Sequence, residues 1–179
     1  GKRPLCCGRT WLSAGMLDEA RAEAERLVAA LAPLAHTGVS IVGLEPSCLY
    51  TLRDEIPLLV PGPDADAVAG AAVLLEEHLE TGHAAGHAIP FREAEGRALV
   101  HGHCHQKAFG GADATLAALK RIPGLEVEPV ESGCCGMAGA FGYHAEHYDT
   151  SMAMAELSLL PAVRAVAPDT RIVADGTSC

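Results

Sequence analysis

Twenty-three acidic against 13 basic side chains give this 179-residue chain a formal charge of −10, which argues against nucleic acid, whose phosphates demand a basic face. Nearly half of the residues are apolar, yet no run of about 20 apolar residues and no signal-peptide pattern occurs. Seven cysteines, an odd number with two adjacent pairs, do not make a secreted disulfide scaffold. They point to a reducing compartment, the cytoplasm or the cytosolic face of a membrane, and to metal or redox chemistry.

The first element is the pair Cys6–Cys7 followed by Gly8. The Ala- and Glu-rich stretch Leu17–Leu34 predicts a helix with Leu17, Ala20, Ala24, Leu27, Val28 and Leu31 on one face. Ser40–Leu44 reads as a short strand running into "EPSC", which ends at Cys48. Pro63-Asp64 opens a helix with Val68, Ala72, Leu75 and Leu79 inward. Residues 82–95 lack periodicity and read as a join.

A second strand, Ala98–His101, runs into "HGHCHQK", with Cys104 between His103 and His105. A helix over Asp113–Ile122 stops at Pro123-Gly124, and the strand Glu126–Val130 leads into "ESGCCG" with Cys134 and Cys135. A helix is expected directly after Cys135 and another over His144–Val163, bent or divided at Pro161. The strand Arg171–Ala174 leads into "GTSC", ending at Cys179.

Strands alternating with helices predict an α/β fold with parallel sheets. Two stretches, each from Cys-Cys-Gly through helix and strand to Ser-Cys, make the chain read as two Rossmann-like repeats related by pseudo-symmetry. Their expected bounds are 1–90, truncated at its N-terminus, and 91–179. Ligands of parallel sheets collect beyond the carboxyl ends of the strands, so Cys104, Cys134, Cys135 and Cys179 are expected to converge. Four converging thiolates suit zinc or an iron–sulfur cluster. Cys6, Cys7 and Cys48 form a second, incomplete set. His103 and His105 are read either as proton-transfer groups or substitute ligands, or as residues orienting the loop. His101 is read as a hydrogen-bonded loop residue. Glu45 and Glu131 are read as accepting backbone N–H bonds of their loops or as assisting proton transfer.

The pattern "CCG…EPSC" followed by "HCHQK…GCCGMAGAFG…ADGTSC" resembles the cysteine-rich, or CCG, domain family. That family includes the iron–sulfur subunit of glycolate oxidase, together with one subunit each of anaerobic glycerol-3-phosphate dehydrogenase and heterodisulfide reductase. The wording around "GCCGMAGAFGYHAEHYD" is most similar to the C-terminal region of fused FAD-linked oxidase/iron–sulfur proteins acting on D-2-hydroxyglutarate or D-lactate. The resemblance implies an oxidoreductase module holding a [4Fe–4S] cluster, of the non-cubane kind in the heterodisulfide reductase branch. Its cofactor ligands would be Cys104, Cys134, Cys135 and Cys179, with Cys6, Cys7 and Cys48 at the incomplete site. FAD would lie in a separate domain, and the partners would be a flavin oxidase domain and a ferredoxin-like domain of the same or an associated chain. The sequence departs from that branch where Leu49, Tyr50 and Thr51 follow Cys48, leaving no Cys-x-x-Cys. The chain is expected to be an inactive fragment of a larger protein. Two other functions remain open on the residues: a thiol–disulfide redox domain, and a docking domain that is zinc-bound or metal-free.

Overall fold

The computed structural model describes residues 3–179. The chain divides into two compact units, Gly1–Leu75 and Glu76–Cys179.

In the first unit, α1 (Arg9–Ser13) leads into α2 (Leu17–Ala35), whose inward face buries Ala20, Ala24, Leu27 and Val28 at the spacing read from the sequence. Strand β1 (Ile41–Gly43) is followed by α3 (Pro46–Tyr50), which continues through a π-helical turn, Thr51–Glu55, into α4 (Ile56–Leu59). Pro63 starts α5 (Pro63–Ala71), where its missing N–H costs nothing. The helix expected to run on to Leu79 stops earlier: Ala72 turns to extended backbone, and β2 (Ala72–Leu74) pairs in parallel with β1. The Nε of Arg53 donates to the Ala72 carbonyl at 2.8 Å and helps to hold this short strand. Leu49, Tyr50, Ile56, Val68 and Leu74 are the buried centre of the unit, and Cys7 belongs to the same cluster.

Glu23 is a buried carboxylate in α2, tolerated because Arg3 and Arg26 both reach it. Arg26 also donates to the carbonyls of Arg3 and Pro4, at 3.0 and 3.2 Å. This clamp fixes the segment that delivers Cys6 and Cys7.

Helix α6 (Leu75–Ala84) belongs, from Glu76 on, to the second unit, which contains a three-stranded parallel sheet in the order β4–β3–β5. Strand β3 (Gly96–His101) is central, with Ala98, Leu99, Val100 and His101 buried; β4 is Leu125–Pro129 and β5 is Arg171–Ala174. Between β3 and β4 lie α7 (Cys104–Ala108) and α8 (Ala112–Lys120). After β4 the chain makes no helix directly beyond Cys135. Bends and two short 3₁₀ turns, Phe141–Tyr143 and Ala145–His147, precede α9 (Tyr148–Ala155). Glycines at 136, 139 and 142 explain this, since glycine loses the most conformational entropy in a helix. The helical region divides at residues 156–158, before Pro161, which lies in the first turn of α10 (Leu159–Ala165).

Candidate metal centre

Three parallel strands have their carboxyl ends on one edge of the sheet, and each releases a cysteine loop there. Beyond His101 come Gly102, His103 and Cys104; beyond Pro129 the chain reaches Cys134 and Cys135; beyond Ala174 it reaches Cys179. The Sγ atoms of Cys135 and Cys179 are 3.4 Å apart although 44 residues separate them in sequence. Cys104 is hydrogen-bonded to Cys134 and feels the charge of Cys135. Cys179 in turn interacts with all three. Each of the four thiols thus acts on at least one other, but among the described residues the donor atoms lying within 4.8 Å of one another are those of His101, Cys135 and Cys179, with Cys104 and Cys134 outside that group.

Two of these thiols resist ionisation. Burial, and then Cys135, push the Cys179 thiol up to about 12. Burial, followed by Cys134 and Cys135, raises Cys104, while Lys107 pulls it partly back. A multivalent cation reverses this balance, because a coordinating thiol is deprotonated outright. Two thiolates on one tetrahedral ion stand about 3.8 Å apart for metal–sulfur bonds of about 2.3 Å, close to the Cys135–Cys179 separation. The donor set fits a soft-metal centre, either zinc or iron–sulfur.

His101 belongs to the group as well. One of its ring nitrogens, Cys135 Sγ and Cys179 Sγ all lie within 4.8 Å of one another. The side chain is 1% exposed. Its Nδ1 lies 2.8 Å from Ser132 Oγ, whereas the buried Nε2 has no hydrogen-bond partner. Burial, and then Lys107 and His103, hold its pKa down to about 4, so the ring is neutral at pH 7.

His103 caps α7: its Nδ1 accepts the His105 N–H at 3.2 Å, while the Gln106 side chain accepts the His103 N–H at 2.9 Å. Its ring lies against Gly176, where any Cβ would collide with it, so this glycine admits His103 beside the Cys179 loop. His105 packs edge-on to His103, with ring centroids 5.6 Å apart. Glu45 caps α3 by accepting the Ser47 N–H and hydroxyl at 3.2 and 2.8 Å. Glu131 is exposed.

Two supporting groups leave little trace in the sequence. Lys107 Nζ donates to the carbonyls of Ser132 and Gly133 at 2.6 and 2.8 Å, latching the Cys134–Cys135 loop to α7. Gln106, fully buried, donates to Asp175 Oδ2 at 2.7 Å and so ties the start of the Cys179 loop to the same helix. Thr115 lies 3.0 Å from Glu76 and 2.9 Å from Asp175 but has one hydroxyl hydrogen for the two carboxyl groups. Burial, with the Asp175 charge contributing, raises the pKa of Glu76. The signals that could have been read are an acidic residue just before Gly176 and a basic residue within "HCHQK".

The cysteines of the first unit make a different arrangement. Cys6, Cys7 and Cys48 line a cavity of about 450 Å³ whose other walls include Leu5, Leu27, Ile41, Leu49 and Leu52. The Cys7 thiol donates to Cys48, which holds Cys48 down at about 7 and pushes Cys7 far up. No histidine lines this cavity among the described residues.

Local geometry at the two Cys-Cys-Gly steps is closely alike. Gly8 N–H approaches Cys6 Sγ at 3.5 Å, and Gly136 N–H approaches Cys134 Sγ at 3.3 Å. Both glycines are left-handed, with φ of 83° and 91°, and the middle cysteines, Cys7 and Cys135, are both buried.

Residues 98–179 match the family profile of the cysteine-rich domain, CCG. This segment of the chain belongs to that family. One subunit of the anaerobic glycerol-3-phosphate dehydrogenase of Escherichia coli (strain K12) is 30% identical over 150 residues, 83% of this chain and 38% of the relative. D-2-hydroxyglutarate dehydrogenase of the same organism is 30% identical over 167 residues, 92% of this chain and 16% of the relative. Lactate utilization protein A of Anoxybacillus flavithermus (strain DSM 21510 / WK1) is 27% identical over 143 residues, 76% of this chain and 58% of the relative. The chain thus spans well under half of the first two relatives. No solved structure matches it at a significant level. Among the described residues, no helix is long and apolar enough to cross a membrane.

Proposed function

We propose that this chain is the iron–sulfur electron-transfer module of a larger flavin-dependent 2-hydroxy-acid dehydrogenase, working in the cytoplasm or at the cytosolic face of a membrane. The observation that carries the reading is the 3.4 Å approach of Cys135 and Cys179 on loops beyond the carboxyl ends of parallel strands, and we take Cys104 and Cys134, which act electrostatically on this pair, as the remaining ligands. The names of the relatives support the substrate class in part: 2-hydroxyglutarate and lactate are 2-hydroxy acids. The small share of the first two relatives that the chain spans supports a role as one part of a larger assembly, with FAD and a ferredoxin-like domain elsewhere.

Bound here, an iron–sulfur cluster supplies reversible one-electron transfer. The chain's task is to present the four thiolates, keep them apart from bulk water and hold their loops in register. Lys107 and Gln106 do the last of these, one on each cysteine loop. We read the chain as two repeats, residues 1–90 and 91–179; the matching geometry at Gly8 and Gly136 supports the repetition. In that reading Cys6, Cys7 and Cys48 are an incomplete counterpart of the main site, and His103 and His105 are candidate proton-transfer groups beside Cys104.

A second reading is a zinc-holding docking domain, favoured by the 3.4 Å Cys135–Cys179 separation, which suits two ligands of one ion. Anaerobic purification with iron, sulfide and zinc analysis separates the two. About four iron and matching sulfide per chain, lost in Cys135→Ser, supports the electron-transfer module. One zinc, no sulfide and no visible chromophore overturns it in favour of the docking domain.

A further inference from the structure

We propose that His101 is a direct nitrogen ligand of this metal centre, donating through Nε2, so that the site is mixed imidazole–thiolate rather than all thiolate. The inference rests on the reading that the converging cysteines hold a metal. It does not require that the metal be iron.

His101 ends the central strand of the sheet. It is the last residue of β3, paired in register with Ala174, and both adjoining strands continue past it into cysteine loops. The backbone therefore presents it at the mouth of the sheet, between the Cys134–Cys135 loop and the Cys179 loop. A ring nitrogen of His101 and the Sγ atoms of Cys135 and Cys179 all fall within 4.8 Å of one another, which a single ion can span with bonds of about 2.0–2.3 Å.

The two ring nitrogens have different surroundings. Nδ1 is engaged by Ser132 Oγ at 2.8 Å, and the Lys107 ammonium, which can only donate, lies 3.3 Å from the same oxygen. Ser132 Oγ can accept from both, and the tautomer that donates its Nδ1–H leaves the Nε2 lone pair bare. That is the arrangement by which outer-shell hydrogen bonds orient a metal-bound histidine. Nε2 is buried and unpartnered. An orphaned nitrogen in a side chain 1% exposed costs stability unless something occupies its lone pair. A metal ion held by Cys135 and Cys179 does so.

His103 is the competing imidazole near the site, and it is engaged differently, as the cap of α7 through its Nδ1. Its substitution by asparagine, itself a good capping residue, serves as the comparison.

The test uses the full chain, uniformly labelled with ¹⁵N-histidine, purified anaerobically and examined by pulsed EPR in its reduced iron-loaded form. In parallel, the metal-free chain is titrated anaerobically with Co²⁺, followed by its thiolate-to-cobalt charge-transfer and ligand-field bands. We expect a directly coordinated ¹⁵N coupling that disappears in His101→Ala and persists in His103→Asn. We also expect cobalt affinity to fall at least tenfold in His101→Ala, with recovery on adding free imidazole, and to fall about tenfold in Ser132→Ala. Unchanged cobalt affinity and spectrum in a folded His101→Ala chain overturns the proposal, as does a nitrogen coupling that vanishes in His103→Asn instead. Should His101→Ala fail to fold, the labelled native chain still decides: no strong ¹⁵N coupling overturns the ligand assignment. A chain that takes up no iron refutes the electron-transfer reading, while the cobalt titration still tests His101.

Discussion

Gly136 lies so close beneath Ser151 that a Cβ on the glycine would collide with the Ser151 carbonyl oxygen in α9. The same glycine has φ of 91° and directs its N–H at Cys134 Sγ. Two independent constraints, backbone hand and close approach, therefore fall on the residue that follows the buried cysteine. Gly136→Ala should destabilise the second unit by at least about 2 kcal/mol, from left-handed strain of about 1–2 kcal/mol plus the steric clash. Gly8→Ala should cost less, since the Cβ there would meet the Ala20 carbonyl at 3.0 Å, where a small shift suffices. Urea unfolding of the metal-free variants checks the order, and equal costs at the two positions would contradict it.

Lys107 holds the Ser132 and Gly133 carbonyls, and its effect should appear in metal retention more than in folding. Each charge-assisted bond to a half-buried loop is worth about 1.5–3 kcal/mol when partners are lost. Loss of the latch frees the Cys134–Cys135 loop without opening the core of β3. Lys107→Met should lower cobalt affinity about 10- to 100-fold, the range for outer-shell partners, with a small change in the thermal midpoint. A large fall in the midpoint with affinity intact would show that Lys107 supports the fold and not the site.

Cys48 and Cys7 share one hydrogen bond, and their titrations belong to the pair. With Cys48 held near 7 and Cys7 pushed up, the thiolate at neutral pH lies on Cys48. In the metal-free, reduced chain Cys48 should be the faster of the two to react with iodoacetamide, its rate rising through about pH 7 and levelling above about pH 8. Cys7→Ala removes the donor and should shift that profile to higher pH. Peptide mass mapping of alkylated sites across the neutral range measures both, and preferential labelling of Cys7 would refute the assignment.

Much of the frame was legible because local chemistry and tertiary need agree there. The Leu17 helix, the strand Arg171–Ala174 and the helix start at Pro63 all follow from periodicity and proline. Convergence of the cysteines could be expected from alternation alone, since parallel strands deliver their carboxyl ends to one edge. Strand β2 was hidden because Ala72, Val73 and Leu74 also satisfy a helical face, and only pairing with β1 makes them extended. His101 was hidden for a related reason. An alternating His-x-His-x-His cannot say which ring faces the cysteines until β3 ends and the chain turns at Gly102. The Gln106–Asp175 tie joins residues 69 apart in sequence, and no local pattern encodes such a partner.

The buried imidazole also predicts how the metal-free protein responds to acid. His101 has a pKa of about 4 in the fold against about 6.5 in an unfolded chain. Between those values the unfolded state binds a proton that the folded state refuses, so stability falls as pH drops from about 6.5 to about 4. The slope from this one group approaches about 1.4 kcal/mol per pH unit. Glu76 acts with the opposite sign, because its pKa is raised on folding, so the protonated folded form gains stability as pH falls through the folded value. The difference between the native chain and His101→Gln cancels the Glu76 contribution. Urea midpoints followed from neutral pH down to about 4 should converge on acidification, the native chain losing stability faster than the variant. Parallel curves would mean that the His101 proton is not excluded by the fold.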